Sequence, residues 1–221
     1  MQLRTLILPA LLALFTGCLT IEENYTFKKN GSGTMEYVLD LSEMGEMLKA
    51  FGGDEAGKDK GGNMDMSDHA ARLRQLPGIS KVKLDSKEWV QRISFSFKDL
   101  DALNAALNVL MPDSVGTHTF FAWEGNTLVR TSNRYAHSLG AGMAEASDEG
   151  DNGEEGFSMA TMLDMMKYKY SFKFANAIEP VAVADGVHQE TKGTKQVFVD
   201  TDFGVIAKDP KALDLRIPVK R

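Results

Sequence analysis

The chain has 221 residues, and its 25 basic residues against 31 acidic ones give a formal net charge of −6. This acidic balance argues against nucleic acid or broad anionic surfaces as partners, because binding to either requires clustered Lys and Arg. The chain contains one cysteine, so it has no internal disulfide framework. We therefore expect the fold to be held together by its hydrophobic core alone.

Residues 1–17 have the three-part order of a secretory signal peptide. A basic start with Arg4 is followed by an apolar run from Leu6 to Phe15 and then by small residues. The run is too short for a transmembrane helix, which needs about 20 apolar residues. The sequence predicts a targeting segment that is removed from the mature protein.

The targeting segment ends in Phe15-Thr16-Gly17-Cys18, which closely resembles the lipobox of bacterial lipoproteins, with Phe where Leu is usual. The resemblance implies cleavage between Gly17 and Cys18, a diacylglyceryl thioether on Cys18 and acylation, for example with palmitate, of the new amino terminus. Two or three acyl chains make a durable membrane anchor, whereas one binds only marginally. The alternative is an ordinary secreted protein with a buried cysteine.

An anchor at Cys18 implies a location in the cell envelope. In a bacterium with two membranes, Leu19 after the cysteine is typical of a lipoprotein sent to the outer membrane and facing the periplasm. With one membrane, the domain would lie on the outer face of the plasma membrane. Glu22 and Glu23 lie close to the anchor and are candidates for a role in surface display.

A β-hairpin is predicted immediately after Cys18. Apolar and polar residues alternate from Leu19 to Lys28, the turn Asn30-Gly31-Ser32-Gly33 follows, and alternation resumes to Leu41. A period of two indicates half-buried strands. A lipidated cysteine followed at once by this strand, turn and strand resembles the LppM-like domain of bacterial lipoproteins. That resemblance implies an α+β envelope domain without recognised catalytic residues.

Further along, helical and strand periodicities alternate. The predicted helices run from Ser42 to about Phe51, from Asp68 to Leu76, from Asp99 to Pro112 and from Ser158 to Met166. The predicted strands are Ile79–Leu84, Trp89–Phe97, Thr117–Trp123, Thr127–Thr131, Tyr168–Phe174, Gln196–Asp200, Phe203–Ala207 and Leu213–Val219. Glycine-rich or acidic stretches at about 52–66 and 140–156 are predicted to be flexible insertions.

This element order predicts one α+β domain over residues 18–221. Hairpin connections and one-faced alternation favour a largely antiparallel sheet, with about four helices packed on one face.

Candidate metal sites in the sequence are weak. The acidic stretch 148–155 has closely spaced oxygen ligands, as calcium requires, but it lacks the EF-hand order, so a solvated loop is favoured. Four methionines could hold Cu(I), namely Met159, Met162, Met165 and Met166. Because they are spaced as on one helix, packing of these side chains into the core is the better interpretation. The histidines His69, His118, His137 and His188 show no metal-ligand spacing.

Catalytic motifs are also missing from the pattern, since there is no nucleophile elbow and no phosphate-binding loop leading into a helix. We therefore predict a non-enzymatic, lipid-anchored binding or scaffolding domain with no cofactor, whose partners are the membrane through Cys18 and an envelope protein or apolar ligand. The alternative is a carrier of an apolar ligand or lipid between membrane and periplasm. Two Met-rich helices, around Met44–Phe51 and Met159–Met166, are candidates for lining an apolar groove, although packing on the core is favoured for both.

Overall fold

The computed structural model describes residues 19–43, 45–46, 65–113, 116–138 and 159–220. The strands in these ranges are Thr20–Phe27 (β1), Gly33–Asp40 (β2), Ile79–Lys87 (β3), Val90–Phe97 (β4), Phe121–Glu124 (β5), Thr127–Arg130 (β6), Lys167–Phe174 (β7), His188–Lys192 (β8), Gln196–Asp202 (β9) and Leu215–Pro218 (β10). The helices are Ser67–Leu73 (α1), Leu100–Leu110 (α2), Met159–Met165 (α3) and Phe203–Lys208 (α4). Single helical turns occur at 42–43, 45–46 and 135–138.

The strands form two sheets. The larger has seven strands in the order β3-β4-β2-β1-β7-β9-β8, and the smaller has three in the order β10-β6-β5. The protein is therefore mostly β, and the predicted α+β fold with about four helices packed on one face is wrong. The larger sheet is mixed, because β1 and β7 run parallel while the other neighbouring strands are antiparallel.

The predicted first hairpin is present. β1 pairs with β2 from Thr20↔Asp40 at the open end to Phe27↔Gly33 at the turn. In the turn, the Asn30 side chain accepts hydrogen bonds from the Ser32 amide at 3.2 Å and from its hydroxyl at 2.8 Å. Gly31 has a φ of +82°, which glycine adopts without steric cost.

Period-two alternation produces one apolar face on the large sheet. The buried side chains of that face include Ile21, Tyr25, Phe27, Met35, Tyr37, Ile93, Phe95, Tyr168, Tyr170, Phe172, Val197 and Val199. The opposite residues of β1 and β7 are half-buried or exposed. The core thus lies on the inner face of the seven-stranded sheet.

That inner face is covered by helices only in part. α2 contacts β3, β4 and β5, and α1 contacts α2 and β3, whereas α3 and α4 pack on each other and on β9. The small sheet covers the rest: the Phe121 ring lies edge-on to Tyr25 at 5.0 Å and to Phe172 at 6.2 Å. The alternation of β6 and β10 buries one face of each strand, so a second sheet replaces the expected helical layer.

The parallel pairing of β1 with β7 was not predicted. It aligns Ile21 with Tyr168 and Phe27 with Phe174 over eight residue pairs. The two strands are far apart in the chain, and alternation within each strand says nothing about its neighbour. The parallel pair brings aromatic rings of the two strands together, with Tyr25 stacked on Phe172 and Phe27 stacked on Phe174.

Two local predictions near the end of the chain also need correction. The predicted strand Phe203–Ala207 is the helix α4, whose first turn is capped by the Asp202 carboxylate accepting from the Val205 amide at 2.9 Å. β8 was missed because its residues are mostly exposed and so show no apolar alternation. It pairs with β9 as an antiparallel edge strand.

The signal peptide, Cys18 and the insertion 140–156 lie outside the described residues. Of the insertion 52–66, Asp65 and Met66 are described, and Met66 is buried. In the part of the chain that is described, no helix combines the length and apolar character needed to cross a membrane.

Candidate functional site

Glu23 occupies an unusual position for a carboxylate. It lies on the inward face of β1 between Ile21 and Tyr25, and its exposed fraction is 0%. The proposal that Glu23 contributes to surface display is therefore wrong, because the side chain points into the core. Its neighbour Glu22 points outward and lies 3.7 Å from the Lys169 ammonium.

Arg130 of β6 faces Glu23 across the two sheets. Its Nη2 atom donates to both carboxylate oxygens, at 3.1 and 3.2 Å, and its Nη1 atom donates to the Ser132 hydroxyl at 2.7 Å. The arginine is only 2% exposed. A buried charge is tolerated when it is paired and hydrogen-bonded in this way.

Three tyrosines complete this buried polar cluster. The hydroxyls of Tyr25 and Tyr168 donate to the two oxygens of Glu23. The Tyr170 ring lies under the guanidinium, with the Arg130 Cζ atom 4.3 Å from the ring centroid, close enough for a cation–π contact. The Tyr170 hydroxyl lies beside Ser132 and Tyr168 without a well-formed hydrogen bond.

The electrostatics fix the protonation states of the tyrosines and the arginine. Burial, reinforced by the negative charge of Glu23, raises the pKa of Tyr25 and Tyr168 well above the usual value. Burial alone would lower the pKa of Arg130, but Glu23 and the surrounding phenols raise it above its ordinary value. The phenols stay neutral and the guanidinium stays charged. The cluster joins the two sheets and is closed to solvent, so it offers no group to a substrate.

A cleft of about 240 Å³ lies at the end of β1 remote from Cys18. Four segments form it: the β1–β2 turn, the β5–β6 turn, the residues after β7 and the residues after β10. Its lining consists of Phe27, Lys28, Lys29, Gly31, Trp123, Gly125, Asn126, Phe174, Ala175, Asn176, Val219 and Lys220. It combines aromatic carbon, amides and ammonium groups on one concave surface.

The cleft contains the most conspicuous surface aromatic of the described residues. Trp123 is 41% exposed, while Phe27 and Phe174 are buried and stack 5.3 Å apart between ring centroids. Lys28, Lys29 and Lys220 are exposed. The lining has no acidic residue, so its formal charge is positive.

Backbone hydrogen bonds hold the four segments in place. The Ala175 amide donates to the Phe27 carbonyl at 3.0 Å, and the Val219 amide donates to the Asn126 carbonyl at 3.0 Å. The Lys220 amide donates to the Ala177 carbonyl at 2.7 Å. The cleft is therefore formed before any ligand arrives, which reduces the ordering cost of binding.

The predicted lipidation site, Cys18, lies outside the described residues, but the strand that follows it is well placed to orient a domain. β1 begins at Thr20, and its eight residues span about 25 Å at roughly 3.3 Å each. Two further segments adjoin this first end of β1. β2 ends at Asp40 opposite Thr20 and is followed by helical residues at 42–43 and 45–46, and β7 begins at Lys167, also next to Thr20, directly after α3.

The Met-rich helices are described only in part. Met44 and residues 47–51 lie outside the described residues, as does the Met159 side chain. On α3, Met162, Leu163 and Met165 are half-buried, and the following Met166 is buried. The apolar side chains of α3 are thus partly packed into the core.

The four histidines do not converge. The His118 Nε2 atom lies 3.1 Å from the Thr131 hydroxyl, and the His188 Nδ1 atom lies 3.1 Å from the Asp200 carboxylate. His137 is exposed, and burial lowers the pKa of the half-buried His69. Within the described ranges, no group of three or more His, Cys, Asp or Glu residues could hold a metal ion. The acidic stretch 148–155 lies outside those ranges.

The sequence analysis predicted neither the buried Glu23–Arg130 cluster nor the cleft around Trp123. Glu23 could have been noticed, because it occupies the apolar phase of β1, and Arg130 shares the phase of buried Leu128 on β6. The cleft carries no signal of this kind, because its lysines and Trp123 come from segments that only the tertiary structure brings together.

No protein-family model matches the chain, and no curated protein matches it. Among solved structures, the chain is similar to the NMR structure of the folded domain of LppM from Mycobacterium tuberculosis. The identity is 12% and the TM-score is 0.47, over 93% of this chain and 91% of that one. LppM gives its name to the LppM-like domain that the first hairpin of this chain resembles. At this identity and TM-score, the match transfers neither a function nor a residue role.

Proposed function

We propose that this protein is a lipoprotein of the cell envelope, anchored through lipid on Cys18, whose domain binds a partner or ligand and does not catalyse. The observation that carries the proposal is the course of β1, which starts at Thr20, two residues after Cys18, and ends at Phe27 in the Trp123 cleft. An anchored domain in which β1 runs away from the membrane would present its cleft about 25 Å from the membrane.

The chemistry of the described residues supports binding over catalysis. The buried carboxylate of Glu23 and the guanidinium of Arg130 pair with each other and are closed to solvent. The cleft offers lysines, amides and an indole but no carboxylate or histidine. General acid–base chemistry needs a positioned proton donor or acceptor tuned near the working pH, and the lining supplies no carboxylate or imidazole for that task.

The end of the sheet near Thr20 suits the membrane side. Residues 42–43 and 45–46 and the Met-containing helix α3 adjoin that end, and methionine adapts to varied apolar surfaces. Hydrogen exchange in the presence and absence of vesicles tests this arrangement. We expect α3 amides to gain protection with vesicles, and protection of α3 equal to that of β7 under both conditions would contradict it.

The carrier alternative receives less support. A carrier of a lipid chain needs an enclosed apolar cavity, whereas the space between the two sheets is filled by stacked and edge-on rings of Tyr25, Phe27, Phe121 and Phe172. Mass spectrometry of the protein purified from cells distinguishes the two functions. A stoichiometric co-purified lipid besides the covalent anchor would favour the carrier.

The anchor is tested by metabolic labelling with radioactive palmitate. We expect the wild-type chain to incorporate label and to sediment with membranes, and Cys18→Ala to lose both properties. Since Cys18 is the one cysteine of the chain, no other thiol can accept the lipid. Label that persists in Cys18→Ala would refute the anchor. A separate experiment, in-cell crosslinking from residues at the rim of the cleft, would identify what the domain binds.

A further inference from the structure

The cleft is a positively charged site on an acidic protein. Lys28, Lys29 and Lys220 surround it, and among the described residues none of the three forms an ion pair. Glu124, the sequence neighbour of Trp123 and Gly125 in the lining, is paired with Arg216 at 2.6 Å. Because the whole chain has a net charge of −6, this local excess of positive charge selects an anion against the field of the rest of the protein.

The same surface has an apolar wall suited to a ring. Trp123 is 41% exposed beside buried Phe27 and Phe174, and an indole face carries the negative part of the ring quadrupole. A pyranose presents weakly positive C–H bonds on one face and hydroxyls at its edge. Asn126 and Asn176 line the cleft, and their side-chain amides, which can each donate and accept, are the groups that suit such hydroxyls.

Size and position argue against a membrane lipid as the occupant. The volume of about 240 Å³ lies below the range of roughly 300–1,000 Å³ typical of ligand pockets, so it accommodates one or two rings but not an acyl chain. In an anchored domain whose β1 runs away from the membrane, the lysines would lie about 25 Å from the lipid headgroups. Electrostatic screening at physiological salt acts over about 8 Å, so those headgroups would exert little attraction.

We propose that the cleft formed by Trp123, the two Asn side chains and the three lysines binds the carboxylated sugar rings of an acidic polysaccharide. The ring would stack on Trp123, its hydroxyls would meet the amides of Asn126 and Asn176, and its carboxylates would pair with the lysines. The orientation toward the envelope rests on the proposed function, whereas the ligand chemistry rests on the cleft itself.

The test uses full-length protein in a neutral detergent, titrated with trigalacturonate while tryptophan fluorescence is followed. The chain has two tryptophans, so a response that is lost in Trp123→Phe reports on the cleft, because only Trp89 remains. The fully methyl-esterified trisaccharide has the same rings without charge and is the matched control ligand. We expect binding of the charged form, weaker binding of the ester and a loss of affinity as salt increases.

The lysine contribution is tested with the triple variant Lys28→Gln, Lys29→Gln, Lys220→Gln. Three exposed carboxylate pairs predict a loss of affinity of about tenfold. The triple variant Lys87→Gln, Lys208→Gln, Lys211→Gln makes the same change in charge at exposed sites that lie toward the ends of β3, β9 and β10 opposite the cleft, and it should bind like wild type. Equal loss in both variants would show a general charge effect and overturn the site.

Two further outcomes would overturn the proposal: equal binding of the charged and esterified trisaccharides, or binding only to vesicles of phosphatidylglycerol.

Cys18→Ala separates this inference from the proposed function. That variant should lose palmitate but retain sugar binding. Absence of sugar binding with palmitate labelling intact would refute only the ligand, whereas sugar binding without palmitate labelling of the wild type would refute only the anchor.

Discussion

Glu23 and Arg130 are 107 residues apart in the chain and form an ion pair between the two sheets. The hydrogen bond is bifurcated, because Arg130 Nη2 lies 3.1 and 3.2 Å from the two carboxylate oxygens. The carboxylate belongs to the middle of the large sheet and the guanidinium to the middle strand of the small one. The pair therefore fixes how the small sheet sits on the large one. Only the correct placement satisfies both charges.

Removing one partner should strongly destabilise the protein. Arg130→Met leaves the buried carboxylate of Glu23 without its counter-ion, and we expect the free energy of unfolding to fall by about 3–5 kcal/mol. Urea denaturation measures the change. The exposed pair Arg216–Glu124 supplies the control, since Arg216→Met should cost less than about 1 kcal/mol. A loss for Arg130→Met no greater than this would show that the buried pair is unimportant.

Replacing both partners should be milder than replacing one. In the double variant Glu23→Leu, Arg130→Met this site holds no buried charge, and the groups that lose a partner are the neutral hydroxyls of Tyr25, Tyr168 and Ser132. We expect the double variant to be more stable than Arg130→Met alone, giving a coupling energy of about 1–3 kcal/mol in a double-mutant cycle. Strict additivity of the two single changes would contradict a direct interaction.

The tyrosines predict a sharp loss of stability at alkaline pH. Burial is the largest cause that raises the pKa of all five tyrosines of the chain, which are Tyr25, Tyr37, Tyr135, Tyr168 and Tyr170. Unfolded tyrosines ionise near pH 10. Below pH 10 the tyrosines are neutral in both the folded and the unfolded chain, so their contribution to folding stability is fully present. Above pH 10 the tyrosines of the unfolded chain lose their protons first, so the free energy of unfolding falls as pH rises.

The slope of this loss is about 1.4 kcal/mol per pH unit for each buried tyrosine. Absorbance at 295 nm and circular dichroism, followed together in a pH titration, provide the measurement. We expect phenolate to appear together with unfolding and above pH 10. Reversible ionisation near pH 10 in protein that retains its native circular dichroism would contradict the burial of these rings.

Asn104 on α2 holds the free edge of the small sheet. Its side chain accepts from the Phe121 amide at 2.8 Å and donates to the Phe121 carbonyl at 2.9 Å. Asn104→Ala leaves both backbone groups without this partner, and we expect a loss of about 2 kcal/mol. Asp101→Asn, an exposed change on the same helix, should alter stability by a few tenths of a kcal/mol. Equal effects in thermal denaturation would rule out the clamp.

The Asp202 cap explains why residues 203–208 form a helix and not a strand. Asp202→Ala removes the acceptor for the Val205 amide and should cost about 1 kcal/mol. Asp202→Asn keeps an acceptor but loses the charge that lies 3.7 Å from Lys167, so it should recover most of the loss. If Asn were as harmful as Ala, the ion pair and not the cap would be the main contribution.

Elements governed by short-range chemistry were predictable. The β1–β2 hairpin follows from alternation around Asn30-Gly31, and α2 follows from an apolar stripe behind Asp99, whose carboxylate accepts from the Ala102 amide at 3.0 Å. Each depends on residues a few positions apart. The prediction failed at 203–207 because Phe203, Val205 and Ala207 alternate as in a strand, and the capping residue that decides the matter lies just before them.

By itself, the sequence determined the strands and helices whose periodicity is local, the turn at Asn30-Gly31 and a candidate lipid anchor at Cys18. The tertiary structure alone decided the parallel pairing of β1 with β7, the second sheet that replaces a helical layer, the Glu23–Arg130 pair and the cleft around Trp123. The reason is that local patterns specify which face of an element is apolar but not which distant face will cover it. That choice depends on shape and charge complementarity between segments that meet only in the folded chain.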